Sequence, residues 1–194
     1  MKIVLATRND HKVAEIQALL VGIDVEVIGL GAFPSLPAEL PETGDTFVHN
    51  ALEKARFVFE STGLTAIADD SGLEVDALDG RPGVFSKRFS TEGTDDTNNA
   101  KLMGLLVGRE DRAARYRCVI AVVGPRGEVT ADGACEGVLG RCPRGAGGFG
   151  YDPLFWPVET PGRSMAELSM GEKNAISHRG RAARGLETLI RRCL

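Results

Sequence analysis

The order of apolar runs and helical periodicities predicts an α/β protein with a mixed central sheet flanked by helices. Apolar runs at 2–6, 25–30 and 65–69 alternate with segments of helical spacing, the pattern of a partly parallel sheet. Two later runs, Arg115–Val123 and Val129–Val138, flank Pro125-Arg126-Gly127, a hairpin signal that mixes antiparallel strands into the sheet. The chain has 194 residues, 43% of them hydrophobic, enough for one domain (1–194) with a real core, divisible into two lobes but without a separable linker.

Each element has its own justification. Lys2–Ala6 reads as a buried strand. His11–Leu20 places Val13, Ile16, Leu19 and Leu20 at helical spacing and is closed by Gly22. Val25–Leu30 is a second strand, followed by a loop punctuated by Pro34, Pro37 and Pro41. Thr46 can cap a long helix whose Phe47, Ala51, Ala55 and Val58 share a face and which ends near Gly63. Thr65–Asp69 is a strand, Asp69-Asp70-Ser71-Gly72 a turn, and Leu73–Leu78 another extended piece. Thr94 or Asp95 is the N-cap of a helix running to Val107. A Gly-rich loop at 140–150 leads to Tyr151–Trp156, and a C-terminal helix carries Leu186, Leu189 and Ile190.

Composition excludes several classes. The formal net charge is −4 and the pI about 5.5, which does not invite DNA or RNA. The short apolar start, Met1–Ala6, has no signal-peptide pattern, and no run approaches the ~20 apolar residues of a membrane span. Cys118, Cys135, Cys142 and Cys193 form no Cys-x-x-Cys pair, which argues against structural zinc and for reduced thiols. The expectation is a soluble, cytoplasmic protein.

Four blocks carry chemistry. Thr7-Arg8-Asn9-Asp10-His11-Lys12 joins the first strand to the first helix. Free N–H groups, the positive helix end and formal charge together suit an anion or phosphate, although an ordinary capped helix start explains the same residues. No Walker A pattern occurs. Pro41-Glu42-Thr43-Gly44 precedes a helix on which Asn50 and Lys54, four apart, share a face and can point at one ligand. A solvated polar stripe is the commoner meaning of such charges.

The third block is the Asp69-Asp70 pair. Adjacent strand residues point to opposite faces, so one carboxylate is expected to face a site directly. A hard cation such as magnesium wants one or two carboxylates together with phosphate oxygens and water, and Glu42 can reach a cation shared with the pair. Asp95-Asp96 is a useful contrast, a pair at a helix start that complements the dipole. In the fourth block, Gly145-Ala146-Gly147-Gly148-Phe149-Gly150 matches Gly-x-Gly-x-x-Gly literally, but no helix starts cleanly into Tyr151-Asp152-Pro153 and no early βαβ context surrounds it. Its glycines allow close approach of backbone to a ligand, with Phe149 as a stacking platform. Glu172-Lys173 and Ser177-His178-Arg179-Gly180 add cationic donors.

Taken in order, Thr-Arg-Asn-Asp-His-Lys (7–12), Glu-Thr-Gly (42–44), Asn-Ala-Leu-Glu-Lys-Ala-Arg (50–56), Ala-Asp-Asp-Ser-Gly-Leu (68–73), Pro-Gly-Val-Phe-Ser-Lys-Arg (82–88), Gly-Phe-Gly-Tyr-Asp-Pro (148–153) and Ala-Ile-Ser-His-Arg-Gly (175–180) closely resemble the inosine triphosphate pyrophosphatase family. The resemblance spans essentially the whole chain. Arg8 departs from it, standing where many members have Gly. It implies two lobes with the active site in the cleft between them, a homodimer, and hydrolysis of ITP, dITP and XTP to monophosphate and pyrophosphate. It also assigns residues. Thr7, Arg8, Asn9, Asp10, His11 and Lys12, with Lys54, would take the triphosphate. Glu42 and Asp70 would hold Mg2+, Asp70 doubling as general base, and Ser71 would touch substrate. Phe149, Gly150, Tyr151, Asp152, Lys173, His178 and Arg179 would hold the base. On this reading Lys12 and Lys54 are expected to be solvated without ligand. The alternatives are a pyrophosphatase for other modified nucleotides, disfavoured by Ser177-His178-Arg179, and a non-catalytic nucleotide-binding regulator, disfavoured by the intact Lys12, Glu42, Lys54 and Asp70.

Overall fold

In the computed structural model the described residues are 2–20 and 25–194, without the side chains of Asp10, His11, Glu15 and Leu19. Gly22, expected to close the first helix, lies outside them. Six strands form one sheet in the order β2-β1-β3-β4-β5-β6: β1 (Lys2–Leu5), β2 (Glu26–Gly29), β3 (Ala66–Val75), β4 (Ala113–Gly124), β5 (Gly127–Leu139) and β6 (Phe155–Pro157). β1 pairs in parallel with both β2 and β3, whereas β5 and β6 are antiparallel, so the sheet is mixed as the sequence predicts. The helices are α1 (Asp10–Leu19), α2 (Phe47–Thr62), α3 (Asp95–Leu105), α4 (Met170–Ile176), α5 (His178–Ala182) and α6 (Leu186–Cys193).

The chain divides into two compact units. The first comprises Met1–Asp70, Cys118–Gly133 and Arg179–Leu194, and the second Ser71–Arg117 and Ala134–His178. In the first unit, strand alternation sorts the core into two layers. Ile3, Leu5, Ile67, Ile120 and Val122 pack with Ile16 and Leu20 beside α1 and with Leu186 and Ile190 of α6. Val4, Ala66, Ala68, Val119 and Ala121 turn the other way, against Ala51, Ala55 and Val58 of α2. Alanines on both sides of that second layer let helix and sheet approach closely. The second unit has a core of its own, built on Leu73, Leu102, Leu106, Tyr116, Leu139, Phe155 and Met165.

α2 starts and stops where its sequence directs. The Thr46 side chain accepts the His49 N–H, and Gly63 takes the left-handed conformation (φ 68°) while its N–H reaches the Phe59 carbonyl. The Asp69-Asp70-Ser71-Gly72 turn is not found: β3 runs unbroken from Ala66 to Val75 through the pair. The Asp residues therefore lie within a strand, beyond Ile67, the last β3 residue paired with β1. Thr46→Ala is expected to lower stability by about 1 kcal/mol, read from the urea unfolding midpoint.

Candidate active site

The alternation that layers the first unit also separates the two carboxylates. Asp69 shares the parity of Ile67 and emerges on the α1 face; Asp70 shares that of Ala66 and Ala68 and emerges on the α2 face. Asp69, 3% exposed, meets the Lys12 ammonium at 2.9 Å and the Arg179 guanidinium at 3.0 Å. Burial alone would raise the pKa of Asp69, but Lys12, Arg179 and Lys54 outweigh it and hold the carboxyl well below the usual carboxylate range. These cations thus favour the ionised carboxylate.

Asp70 belongs to a second knot. One of its oxygens accepts from Lys54 Nζ at 3.0 Å and the other from Asn50 Nδ2 at 3.2 Å. Lys54 Nζ also lies 2.6 Å from Glu42 Oε1. The α2 spacing of Asn50 and Lys54 thus brings both side chains onto one group, the carboxylate of Asp70. Burial pushes Asp70 upward, against the attraction of Lys54. For Lys54 burial acts downward, yet Asp70, Glu42 and Asp69 prevail and raise it, so the lysine stays charged. The expectation that Lys12 and Lys54 are solvated is corrected. Lys54 is 6% exposed, the side chain of Lys12 19%, and both are ion-paired, because adjacent buried carboxylates draw the nearest cations inward.

α2 also shapes the Glu42-Thr43-Gly44 segment. Glu53 accepts from Thr43 N–H and Oγ1, and Asn50 Oδ1 accepts from Gly44 N–H. The His49 ring fills the place a Cβ at residue 44 would take, which requires glycine there. Glu42 is thereby presented to Lys54. Two carboxylates converging on one positive centre fit a hard divalent cation that completes its shell with phosphate oxygens and water. Among the described residues no group of three or more His, Cys, Asp or Glu converges.

The phosphate loop is partly self-capping. Thr7 Oγ1 accepts from Asn9 N–H and Asn9 Oδ1 from Lys12 N–H, so these side chains fix the loop and the start of α1. Arg8 is exposed and donates to the Leu36 carbonyl. A depression of about 300 Å³ is lined by residues that include Thr7, Arg8, Val13, Ile28 and Gly29. The side chains of Asp10 and His11 lie outside the described residues.

The remaining candidates, Arg179 aside, are in the second unit. Ser71 is half-buried in β3. Asp152 is buried and accepts from Phe149 N–H at 3.0 Å, Lys173 Nζ at 2.9 Å and Tyr116 Oη at 3.2 Å. The Lys173 ammonium lies 4.5 Å from the centroid of the Phe149 ring. Tyr151 is 4% exposed and donates to the Ser86 carbonyl, which gives it a supporting role beneath the turn. Gly148 has φ 74°, and a Cβ there would collide with Asp152. His178 is buried at the start of α5. Arg179 directs Nε and one terminal nitrogen to Asp69, so its guanidinium is committed there in part.

Two sets of contacts went unread in the sequence. Asp95, taken as a simple helix-dipole residue, accepts the Gly150 N–H at 2.6 Å, while Asn99 donates to the Gly150 carbonyl at 2.9 Å. The start of α3 thus clips the turn that carries Phe149. Tyr116 in β4 also touches this group, and a single Tyr in an apolar run gives no signal beyond core packing.

A protein-family model described as the Ham1 family matches residues 3–189. The chain belongs to the Ham1 family. Its relatives include the dITP/XTP pyrophosphatase of Desulforamulus reducens, 52% identical over 99% of this chain and 96% of that protein. That of Streptomyces coelicolor is 44% identical over 100% and 98%. Among solved structures, a HAM1 protein from Coxiella burnetii superposes with a TM-score of 0.86 at 44% identity, covering 98% of both chains. A nucleoside-triphosphatase, dITP/XTP pyrophosphatase, from Mycobacterium abscessus gives 0.76 at 46% identity, covering 96% of this chain and 97% of that one.

Asp69→Asn leaves the buried Arg179 and Lys12 short of a counter-charge. It is expected to lower stability by about 3 kcal/mol in guanidinium unfolding, whereas exposed Asp96→Asn should change it by less than about 0.5 kcal/mol.

Proposed function

We propose that this chain hydrolyses the non-standard purine nucleoside triphosphates ITP, dITP and XTP to the monophosphate and pyrophosphate, removing them from the nucleotide pool. The observation that carries the proposal is the convergence of Glu42 and Asp70 on a single cationic position, with Lys12 paired nearby to Asp69. Relatives about 52% identical are dITP/XTP pyrophosphatases, which supports it.

In this reading Glu42 and Asp70 hold Mg2+. Bound there, the ion would neutralise phosphate charge and lower the pKa of a coordinated water. The chain's own residues do the rest. Asn50 fixes the Asp70 carboxylate through its second oxygen, so that Asp70 can orient water toward phosphorus or accept its proton. Lys12 and Lys54 contact the triphosphate and offset the negative charge that builds on departing pyrophosphate. Thr7, Asn9 and the α1 N-terminus order the loop beneath it, and Ser71 touches substrate. Phe149 stacks on the base, and Gly150, Asp152, Lys173, His178 and Arg179 frame it, with Tyr151 acting from below. A 6-oxo purine accepts hydrogen bonds at O6, where adenine would present an amino group and leave donors unpaired. We also read residues 1–194 as one functional domain acting as a cytoplasmic homodimer; among the described residues no helix is long and apolar enough to cross a membrane.

Pyrophosphate release from a panel of ITP, XTP, dITP, GTP, ATP and pyrimidine triphosphates tests the assignment. kcat/KM for ITP is expected to exceed that for ATP by about 10⁴, the discrimination available to hydrogen-bonded sites; comparable values would contradict it. Excess EDTA should abolish turnover, and Asp70→Asn should remove most of kcat while leaving the unfolding transition in place. Lys12→Ala should cost about 1.5–3 kcal/mol in kcat/KM, as for a lost hydrogen bond to a charged group. Lys54→Ala should in addition destabilise the fold, since it strands two carboxylates.

A further inference from the structure

Tyr116 lies on the β4 segment of the second unit, 7% exposed, and makes two contacts that a space-filling residue has no need of. Its ring stacks on the imidazole of His178, with centroids 4.6 Å apart and planes inclined by 16°. Phe155 tilts against the Tyr116 ring as well, with centroids 4.7 Å apart and planes inclined by 58°. The hydroxyl donates to Asp152 Oδ1 at 3.2 Å. The other oxygen of Asp152 takes the Phe149 N–H and the Lys173 ammonium, which itself lies over the Phe149 ring. One side chain therefore touches the imidazole, and touches the carboxylate that fixes the stacking platform. Burial, reinforced by the Asp152 charge, pushes the Tyr116 hydroxyl well above its ordinary pKa, so it remains a donor.

We infer that Tyr116 is a specificity-determining positioning residue, which holds His178 through its ring and the Phe149–Asp152–Lys173 group through its hydroxyl in one fixed geometry for the purine base. The inference rests on the base-binding role proposed above for those residues. A hydrogen-bonded pocket discriminates between O6 and an amino group only if its donors cannot retreat from an unmatched partner. Phe155 and Tyr116 behind His178 remove that freedom from the imidazole. The Asp152 anchor does the same for the platform.

The test uses Tyr116→Phe and Tyr116→Leu in the full chain. Steady-state kcat and KM are measured for ITP and ATP with magnesium, and the His178 imidazole proton shift is followed by NMR. The chain has three histidines, so the resonance is assignable by its loss in His178→Gln. In Tyr116→Leu the ring current is gone and the His178 signal should move downfield. KM for ITP should rise about tenfold with kcat within about twofold, and the ITP-to-ATP selectivity should fall about tenfold. Tyr116→Phe keeps the stack, so the His178 signal should stay in place while KM rises about threefold through the lost Asp152 bond. Restoration of most of the selectivity by Phe over Leu is the signature of the stack. A folded Tyr116→Leu protein with unchanged KM and selectivity overturns the inference, as does a loss confined to kcat. Should the leucine variant not fold, Tyr116→Phe decides: unchanged KM and selectivity overturn the inference, and a raised KM with the His178 signal in place supports it. A wild-type protein inactive on ITP overturns the functional assignment and this inference with it, whereas wild-type activity with indifferent variants overturns this inference alone.

Discussion

Two neighbouring carboxylates inside a strand pose an electrostatic constraint that the rest of the first unit answers. Consecutive strand residues leave the sheet on opposite faces, so the two carboxylates are ion-paired directly by different cations. A buried charge without a partner costs several kcal/mol, and each face must supply its own. On one face the supply is Lys12 of α1 and Arg179 of α5; on the other it is Lys54 of α2, aided by Asn50. Helix placement follows from this. Ala66 and Ala68 precede Asp70 on the α2 face and meet Ala51 and Ala55, so α2 lies close enough for Lys54 and Asn50 to reach the carboxylate. Bulkier Ile67 sits on the other face among Ile16, Leu20 and Leu186, where the longer reach of Arg179 suffices.

The same constraint explains what the sequence revealed and what it concealed. Local signals were legible: Thr46 and Gly63 bound α2 as expected, and Pro125-Arg126 joins β4 to β5 in a two-residue connection. The break at Asp69–Gly72 was misread because Asp, Ser and Gly favour turns only while their polar groups lack better partners. Here the partners come from 57 and 110 residues away, Lys12 and Arg179 for Asp69. No local window contains them. The buried lysines escaped notice for the same reason, since a lysine on a helix looks solvated until the anion opposite it is placed. The start of α4 was more legible than it was taken to be: Ser169 and Glu172 form a capping box, a pattern readable in sequence.

Residue type and spacing picked out the candidate residues, but not their contacts with one another. For the Asp70–Asn50–Lys54–Glu42 knot, helical spacing put Asn50 and Lys54 on one face but did not show their pairing with Asp70 in place of a ligand. The Asp69–Arg179 pair could not be anticipated, nor could the hold of Asp95 and Asn99 on Gly150. The first joins a strand residue to a helix 110 residues away and the second joins a helix start to the backbone of a distant turn, and periodicity carries no information about either.

The second unit applies a related rule with a different consequence. Asp152 is as enclosed as Asp69, but its three donors are a backbone N–H, an ammonium and a phenol instead of two cations. A carboxylate shared among fixed donors of different chemistry pins each of them in direction as well as in distance. Gly148 leaves no space for a side chain beside it, and Asp95 and Asn99 grip Gly150 from both ends of its peptide units. Phe149, between these glycines, is therefore held by its backbone neighbours while its side chain stays half-buried. A stacking surface on a rigid turn loses little entropy when a ring settles on it, whereas the same phenylalanine on a loose glycine loop would have to be ordered first. The glycines that appear to confer mobility in the sequence are thus the residues that allow the turn to be locked.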